Sequence, residues 1–181
     1  MDNQKLDFGC GNSKKAGFIG IDNNPNAKNA DIICDLNKFP YPFEESSIIE
    51  IFASHIAEHL NDLEGFFAEI YRIAKPNAKL ILKVPHYSYG FVHPLHKHGF
   101  SVLTFIYFNK SSKESYGQET FEVKNVKLYW RRPGYQHGPL IKLLDRLINR
   151  IANIKPFICE RYWCYLVGGF EEIEFVVEIK K

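Results

Sequence analysis

The sequence predicts an α/β fold: a Rossmann-like, mostly parallel sheet with helices on both faces and an antiparallel C-terminal strand. Three observations carry this. Short apolar runs ending in Asp or Gly recur through the first half of the chain. One of them, residues 48–53, is apolar almost throughout, as a strand covered on both faces should be. An amphipathic helix then separates this run from the next, and strands alternating with helices argue for parallel pairing.

The elements follow in order. Residues 5–8 form a short strand running into Gly9-Cys10-Gly11, residues 17–21 a second ending at Asp22, and residues 31–34 a third ending at Asp35. After the 48–53 strand, Asn61 is placed to cap a helix, with Glu64 three residues on in capping-box spacing. Leu63, Phe66, Phe67, Ile70 and Ala74 recur on one face, and Pro76 stops the helix. Residues 80–84 are the fifth strand. Residues 100–108 are apolar and ambiguous between helix and strand. Residues 121–130 and 172–179 alternate as strands, and residues 140–154 are helical with a stripe of Leu140, Leu144, Leu147, Ile151 and Ile154. No repeat or linker divides the chain. It reads as one domain, 1–181, with a cofactor half over about 1–85 and an acceptor-binding loop and C-terminal part over about 86–181.

The 181 residues suffice for a continuous core, and 45% hydrophobic content is that of a folding chain. A formal charge of +2 gives no field that would point to nucleic acid. No apolar run approaches the roughly 18 to 20 residues that cross a bilayer. Met1-Asp2-Asn3-Gln4 lacks the basic and apolar regions of a signal peptide. Cys10, Cys34, Cys159 and Cys164 are too few for a disulfide framework and lack zinc-ligand spacing. They read as reduced thiols in a cytoplasmic protein.

Leu6-Asp7-Phe8-Gly9-Cys10-Gly11 is a strand entering a glycine turn, where a backbone must bend sharply and admit a ligand. A dinucleotide fingerprint would continue with a third glycine, a full helix holding the phosphates, and an acid about 20 residues on. Here Lys14 stands at the third glycine position. Asp22 follows Gly11 by only eleven residues, which leaves room for one helical turn. NAD would lose its main anchor. S-adenosylmethionine, having no phosphate, loses little. Asp22 could accept both ribose hydroxyls and Asp35 the adenine amine. Together with Asp7, Gly9, Gly11 and Ser54 they lie at the carboxyl ends of strands, where open α/β sheets bind ligands. Any single Asp there is as well explained as a turn residue or cap.

On these residues the chain resembles the class I S-adenosylmethionine-dependent methyltransferases, in particular the small type 11-like group. The matching segments are LDFGCG, GFIGID, CDLNKFPYPFEESSIIEIFASHIAEHL and EIYRIAKPNAKLILKVP, spanning about residues 6–85. The resemblance implies S-adenosylmethionine as cofactor. It implies that Asp7, Gly9 and Gly11 hold the methionine moiety, Asp22 the ribose, and Asp35 with Leu36 the adenine. Ser54 and His55 would then lie near the transferable methyl. Two departures stand out: Ser13 replaces a third glycine, and the first helix is nearly absent. Asn77-Ala78 replaces the usual glycine pair before the fifth strand, and Asn tolerates a left-handed backbone.

His55-Ile56-Ala57-Glu58-His59 also fits H-x-x-E-H, a zinc-hydrolase pattern that needs both histidines on one helix face. Here it starts at a strand end, so the methyltransferase reading explains it better, and no metal is expected. His86, His93, His96 and His98 form a second cluster in a loop expected to face the methyl donor. His55 and His86 are the candidate general bases. The acceptor is left open among a hydroxyl-bearing small molecule and a glycan or lipid precursor. The alternatives are a non-catalytic S-adenosylmethionine-binding or interaction module and a zinc hydrolase on His55, Glu58 and His59. The stripe on 140–154, with Lys142, Arg146 and Arg150 beside it, is assigned to internal packing or to a homodimer mate in preference to a membrane surface.

Overall fold

The computed structural model describes residues 4–109, 112–114, 120–134 and 138–181; Met1, Asp2 and Asn3 of the N-terminal reading lie outside them. The strands are β1 (Gln4–Phe8), β2 (Ile19–Asp22), β3 (Ile32–Ile33), β4 (Ile48–Ser54), β5 (Ala74–Pro85), β6 (Phe121–Tyr129) and β7 (Glu172–Ile179). The helices are α1 (Leu63–Ile73), α2 (Tyr87–Gly90), α3 (Pro139–Ala152) and α4 (Pro156–Leu166). The strands join in one sheet in the order β3-β2-β1-β4-β5-β7-β6. β1 to β5 are mutually parallel, and β7 inserts antiparallel between β5 and β6. The chain therefore reverses direction outward from β1, and that reversal opens a crevice at the carboxyl ends.

The connections 9–18, 23–31 and 34–47 contain no helix. Side chains from the third of these cover the sheet in its place. Leu36 and Tyr41 are buried, the Tyr41 hydroxyl donates to the Leu36 carbonyl at 2.9 Å, and the Tyr41 ring meets Phe8 edge-on at 5.6 Å. On the other connection α1 buries Phe66, Phe67, Ile70 and Ile73. Its cap is Asp62, whose carboxylate accepts from Gly65 N at 2.8 Å. Asn61, expected to cap, instead donates its backbone N–H to Asn37 Oδ1 at 2.7 Å. The helix ends before Pro76 because β5 already begins at Ala74.

Residues 100–108 are neither a long helix nor a strand but loop with one 3-10 turn, Thr104–Ile106. Buried phenylalanines hold it: Phe105 packs against Phe67 at 5.4 Å and Phe175 at 5.0 Å. The aromatic content that made the segment ambiguous is here tertiary packing.

The 140–154 stripe does not pack internally. α3 lies against edge strand β6 with its polar side. Asn153 and Leu128 exchange two bonds of 2.8 Å, Trp130 N donates to Asn149 Oδ1 at 2.7 Å, and Arg131 N donates to Asp145 Oδ1 at 3.3 Å. The edge strand's free backbone groups take what polar partners they can. The apolar stripe consequently points outward, with Leu140 67% and Ile154 72% exposed. α4, which local pattern did not reveal, docks through Glu160, buried and bonded to His86 and to Val102 N.

Candidate functional site

The turn after β1 is built on its glycines. Gly9 and Gly11 have φ of +68° and +51°, which favours residues without a Cβ. Gly9 N and Cys10 N both donate to the Ile21 carbonyl, tying the turn to β2. Asp7 is buried beneath it, and its Oδ2 accepts from Lys15 N at 2.7 Å. Burial raises the Asp7 pKa, against the opposing pull of that amide and of Lys15 and Lys14.

Asp22 ends β2 and braces the same turn. Its Oδ2 accepts from Gly11 N at 2.8 Å and its Oδ1 from Asn24 N at 2.9 Å. Asp35 follows β3, with Oδ1 accepting from Asn37 N at 3.0 Å. That backbone bond, with help from the Asn37 and Lys38 side chains, holds the Asp35 carboxyl below its ordinary range. Gly9, Asp22, Cys34, Asp35, Leu36, Ile56 and Leu60 line one narrow cleft. Of the residues assigned to the cofactor, the cleft gathers Gly9, Asp22, Asp35 and Leu36. Gly11 and Asp7 belong to the turn beside it, and Ser54 ends β4 outside its lining.

The donor set suits an adenosine: two strand-end carboxylates for hydroxyl and amine hydrogens, and Leu36, Ile56 and Leu60 as apolar walls. Its volume of about 30 Å³ is far below the roughly 300 Å³ or more of ligand pockets. Ile56 packs directly on the glycine turn, its Cβ 2.9 Å from where a Cβ at position 9 would stand.

The segment between β4 and α1 is a wall with two faces. Ile56 and Leu60 face the cleft, while His55, Glu58 and His59 face a second cavity of about 610 Å³. Pro85, Tyr89, His93, His96, Arg131, Arg132 and Glu171 complete that cavity. His55 adopts φ +55°, a left-handed conformation uncommon outside glycine and associated with functional sites. Its Nε2 lies 2.7 Å from Glu172 Oε2. Its Nδ1 lies 3.2 Å from Glu58 Oε1, an ion-pair distance without hydrogen-bond alignment. Burial opposes the charged ring, but Glu172 and Glu58 outweigh it, so the His55 pKa is raised. Two carboxyls that favour the protonated ring work against His55 as a general base.

His86 is elsewhere. It is fully buried at the end of β5, with Nδ1 2.7 Å from Ser88 Oγ and Nε2 3.0 Å from Glu160 Oε2. Both ring nitrogens are taken, and neither reaches the cavity. His86 ties β5, α2 and α4 together, which corrects its expected place as a general base facing the acceptor. H-x-x-E-H also departs from the zinc-hydrolase geometry. It occupies a strand end and a single 3-10 turn, Ala57–His59, and His55 turns to Glu172 and not to His59.

Glu58 is the residue that sequence reasoning undervalued. It is fully buried on the cavity wall, and neither carboxyl oxygen has a hydrogen-bond partner. A charged residue inside the apolar run Ile56-Ala57-Glu58 was the only local signal, and the zinc pattern absorbed it.

Known proteins fit this geometry. A family model described as a methyltransferase domain matches residues 6–82, the part that carries the glycine turn, both strand-end acids and the wall. Over those residues the chain is similar to a methyltransferase domain. No curated protein matches its sequence. Among solved structures, the chain is similar to a SAM-dependent methyltransferase from Archaeoglobus fulgidus (16% identity, 98% of this chain and 86% of that one, TM-score 0.55). It is also similar to one from Mesorhizobium loti (12% identity, 97% and 90%, TM-score 0.58). A third is Haemonchus contortus phosphoethanolamine N-methyltransferase 2, bound to phosphomonomethylethanolamine and S-adenosylhomocysteine (16% identity, 99% and 49%, TM-score 0.53). At these identities the likeness is one of fold. No described helix is long and apolar enough to cross a membrane.

Proposed function

We propose that the chain, as a single domain, methylates a hydroxyl-bearing small acceptor held in the 610 Å³ cavity, with the cofactor in the cleft across the wall. Asp22 takes the ribose hydroxyls and Asp35 the adenine amine, with Leu36 against the ring. Gly9 and Gly11 let the methionine moiety approach the turn that Asp7 supports, and Ser54 stands at the strand end nearest the methyl. The observation that carries this reading is the wall itself, whose residues 55–60 serve both spaces. Methyl transfer needs two reactants held in contact with water excluded, and one segment that serves both spaces ties the placement of cofactor and acceptor together, with the methyl reaching the acceptor past the segment's start at Ser54.

When bound, S-adenosylmethionine supplies an electrophilic sulfonium methyl. The chain's residues position the acceptor and receive its proton. Glu58, buried and without a hydrogen-bond partner, is the group proposed to accept a hydroxyl hydrogen; the ion pair with His55 fixes its position from one side. Arg132 lines the same cavity with its Nε 3.8 Å from Glu172 and suits an acceptor bearing an anionic group. That the Haemonchus enzyme binds a small phosphorylated acceptor is consistent with this chemistry.

The test is transfer of a labelled methyl from S-adenosylmethionine to the dialysable and non-dialysable fractions of a cell extract. Label should enter dialysable molecules. Glu58→Gln should lower that incorporation about a hundredfold, the usual size of a general-base contribution, with cofactor affinity unchanged. Label confined to macromolecules would contradict the small-acceptor reading.

A further inference from the structure

The fold gathers three histidines that the methyl-transfer chemistry does not use. His59 comes from the 3-10 turn after β4, and His93 and His96 from the loop after α2. Each offers one ring nitrogen, and the three nitrogens lie within 4.8 Å of one another. The rings of His93 and His96 stack at 4.8 Å, and His59 meets them edge-on at 5.6 and 4.7 Å. We infer that His59, His93 and His96 bind a divalent zinc-like metal ion at the wall of the acceptor cavity.

Orientation supports this. His96 Nδ1 bonds the Gly90 carbonyl, and His93 Nδ1 accepts from Leu95 N at 3.3 Å. His96 spends its Nδ1–H on that carbonyl and keeps its Nε2 lone pair for a metal, whereas His93, whose Nδ1 is the accepting nitrogen, ligates by giving up the Leu95 bond. A ring nitrogen held by a backbone carbonyl is the usual device for fixing the tautomer and direction of a metal-binding imidazole. Tetrahedral zinc at about 2.0–2.1 Å from each nitrogen sets those nitrogens roughly 3.3 Å apart. Side-chain rotation closes the remaining gap, since His93 is exposed and His59 half-buried.

Charge supports it independently. Glu58 is fully buried with both carboxyl oxygens lacking hydrogen-bond partners, and its Oε1 lies 4.0 Å from His96 Nε2. A buried carboxyl left so is costly, and His55 compensates it from one side only. A cation on the triad compensates it from the other. Imidazole nitrogens favour zinc and its neighbours over magnesium or calcium. Three protein ligands leave the fourth position open, the pattern of a site that takes water or substrate and not of a closed structural site. The cavity lies on that open side, so an acceptor oxygen can occupy it. That last clause alone rests on the methyl-transfer reading; the metal site stands without it.

The experiment is calorimetric titration of the metal-stripped full chain with zinc chloride, joined to the visible spectrum of the cobalt-substituted protein. One zinc ion per chain should bind. His93→Asn and His96→Asn should each weaken it tenfold or more, and the double variant should abolish it. His98→Asn, whose ring bonds the Leu60 carbonyl outside the triad, should bind as wild type does. Circular dichroism melting shows that each variant folds. The cobalt spectrum should show tetrahedral bands without thiolate charge transfer. No stoichiometric zinc, binding unchanged in the double variant, or a thiolate band would each overturn the site. Cofactor binding is measured separately, so failure here leaves the methyltransferase reading intact.

Discussion

A methyl group has no room at position 9. A Cβ there would lie 2.9 Å from Ile56 Cβ, on a backbone at φ +68°. At position 11 the backbone is also left-handed, but nothing lies within 4 Å. Gly11→Ala should therefore cost only the left-handed penalty of about 1–2 kcal/mol, and Gly9→Ala clearly more. Urea unfolding of both variants checks this; equal losses would show that Ile56 gives way freely. Residue identity made some of this legible. Asn77 adopts φ +62°, as expected of an Asn in that place, and Asp22 and Asp35 stand at the strand ends where their spacing put them. The left-handed His55 was not legible, because its partner Glu172 lies 117 residues away and leaves no local mark.

At the scale of elements, periodicity revealed α3 but not which side of it faces the protein. Burial of an apolar stripe is the usual outcome. Here Asp145, Asn149 and Asn153, spaced four apart, instead satisfy the backbone at the end of edge strand β6 and of the two residues after it. The consequences of substitution are inverted relative to an ordinary amphipathic helix. Asn149→Ala removes the partner of Trp130 N and should cost about 1–3 kcal/mol. Leu147→Ser, at a position 54% exposed, should change stability by no more than about 0.5 kcal/mol. Denaturant midpoints for the two variants decide it, and the reverse ranking would mean that the stripe is the buried side.

Across the whole molecule, the parallel half of the sheet was readable because each strand carries its own apolar run and the first three run into a glycine or an acid. The cavity was not, because its wall draws on His55, Glu58 and His59 after β4, on Pro85 and the loop that carries His93 and His96, and on Arg131, Arg132 and Glu171, which only the sheet order brings together. That convergence has a pH signature. The His55 pKa is raised in the folded state by Glu172 and Glu58, against burial and the nearby Arg132. Its stabilising contribution is therefore complete below the unfolded value of about 6.5 and lost as pH rises through the folded value. Unfolding free energies of wild type and His55→Asn should converge above that point and separate below it. Parallel curves would mean that His55 carries no coupled proton.

The central claim is that the cleft between the glycine turn and Asp35 holds S-adenosylmethionine, and calorimetry tests it most directly. S-adenosylmethionine and its demethylated product should each bind once per chain, and NAD should give no heat. Asp22→Ala, confirmed as folded, should lose two charge-assisted hydrogen bonds of roughly 1.5–3 kcal/mol each, a hundredfold or more in affinity. Heat with NAD alone, or an Asp22→Ala affinity within a few-fold of wild type, would contradict it.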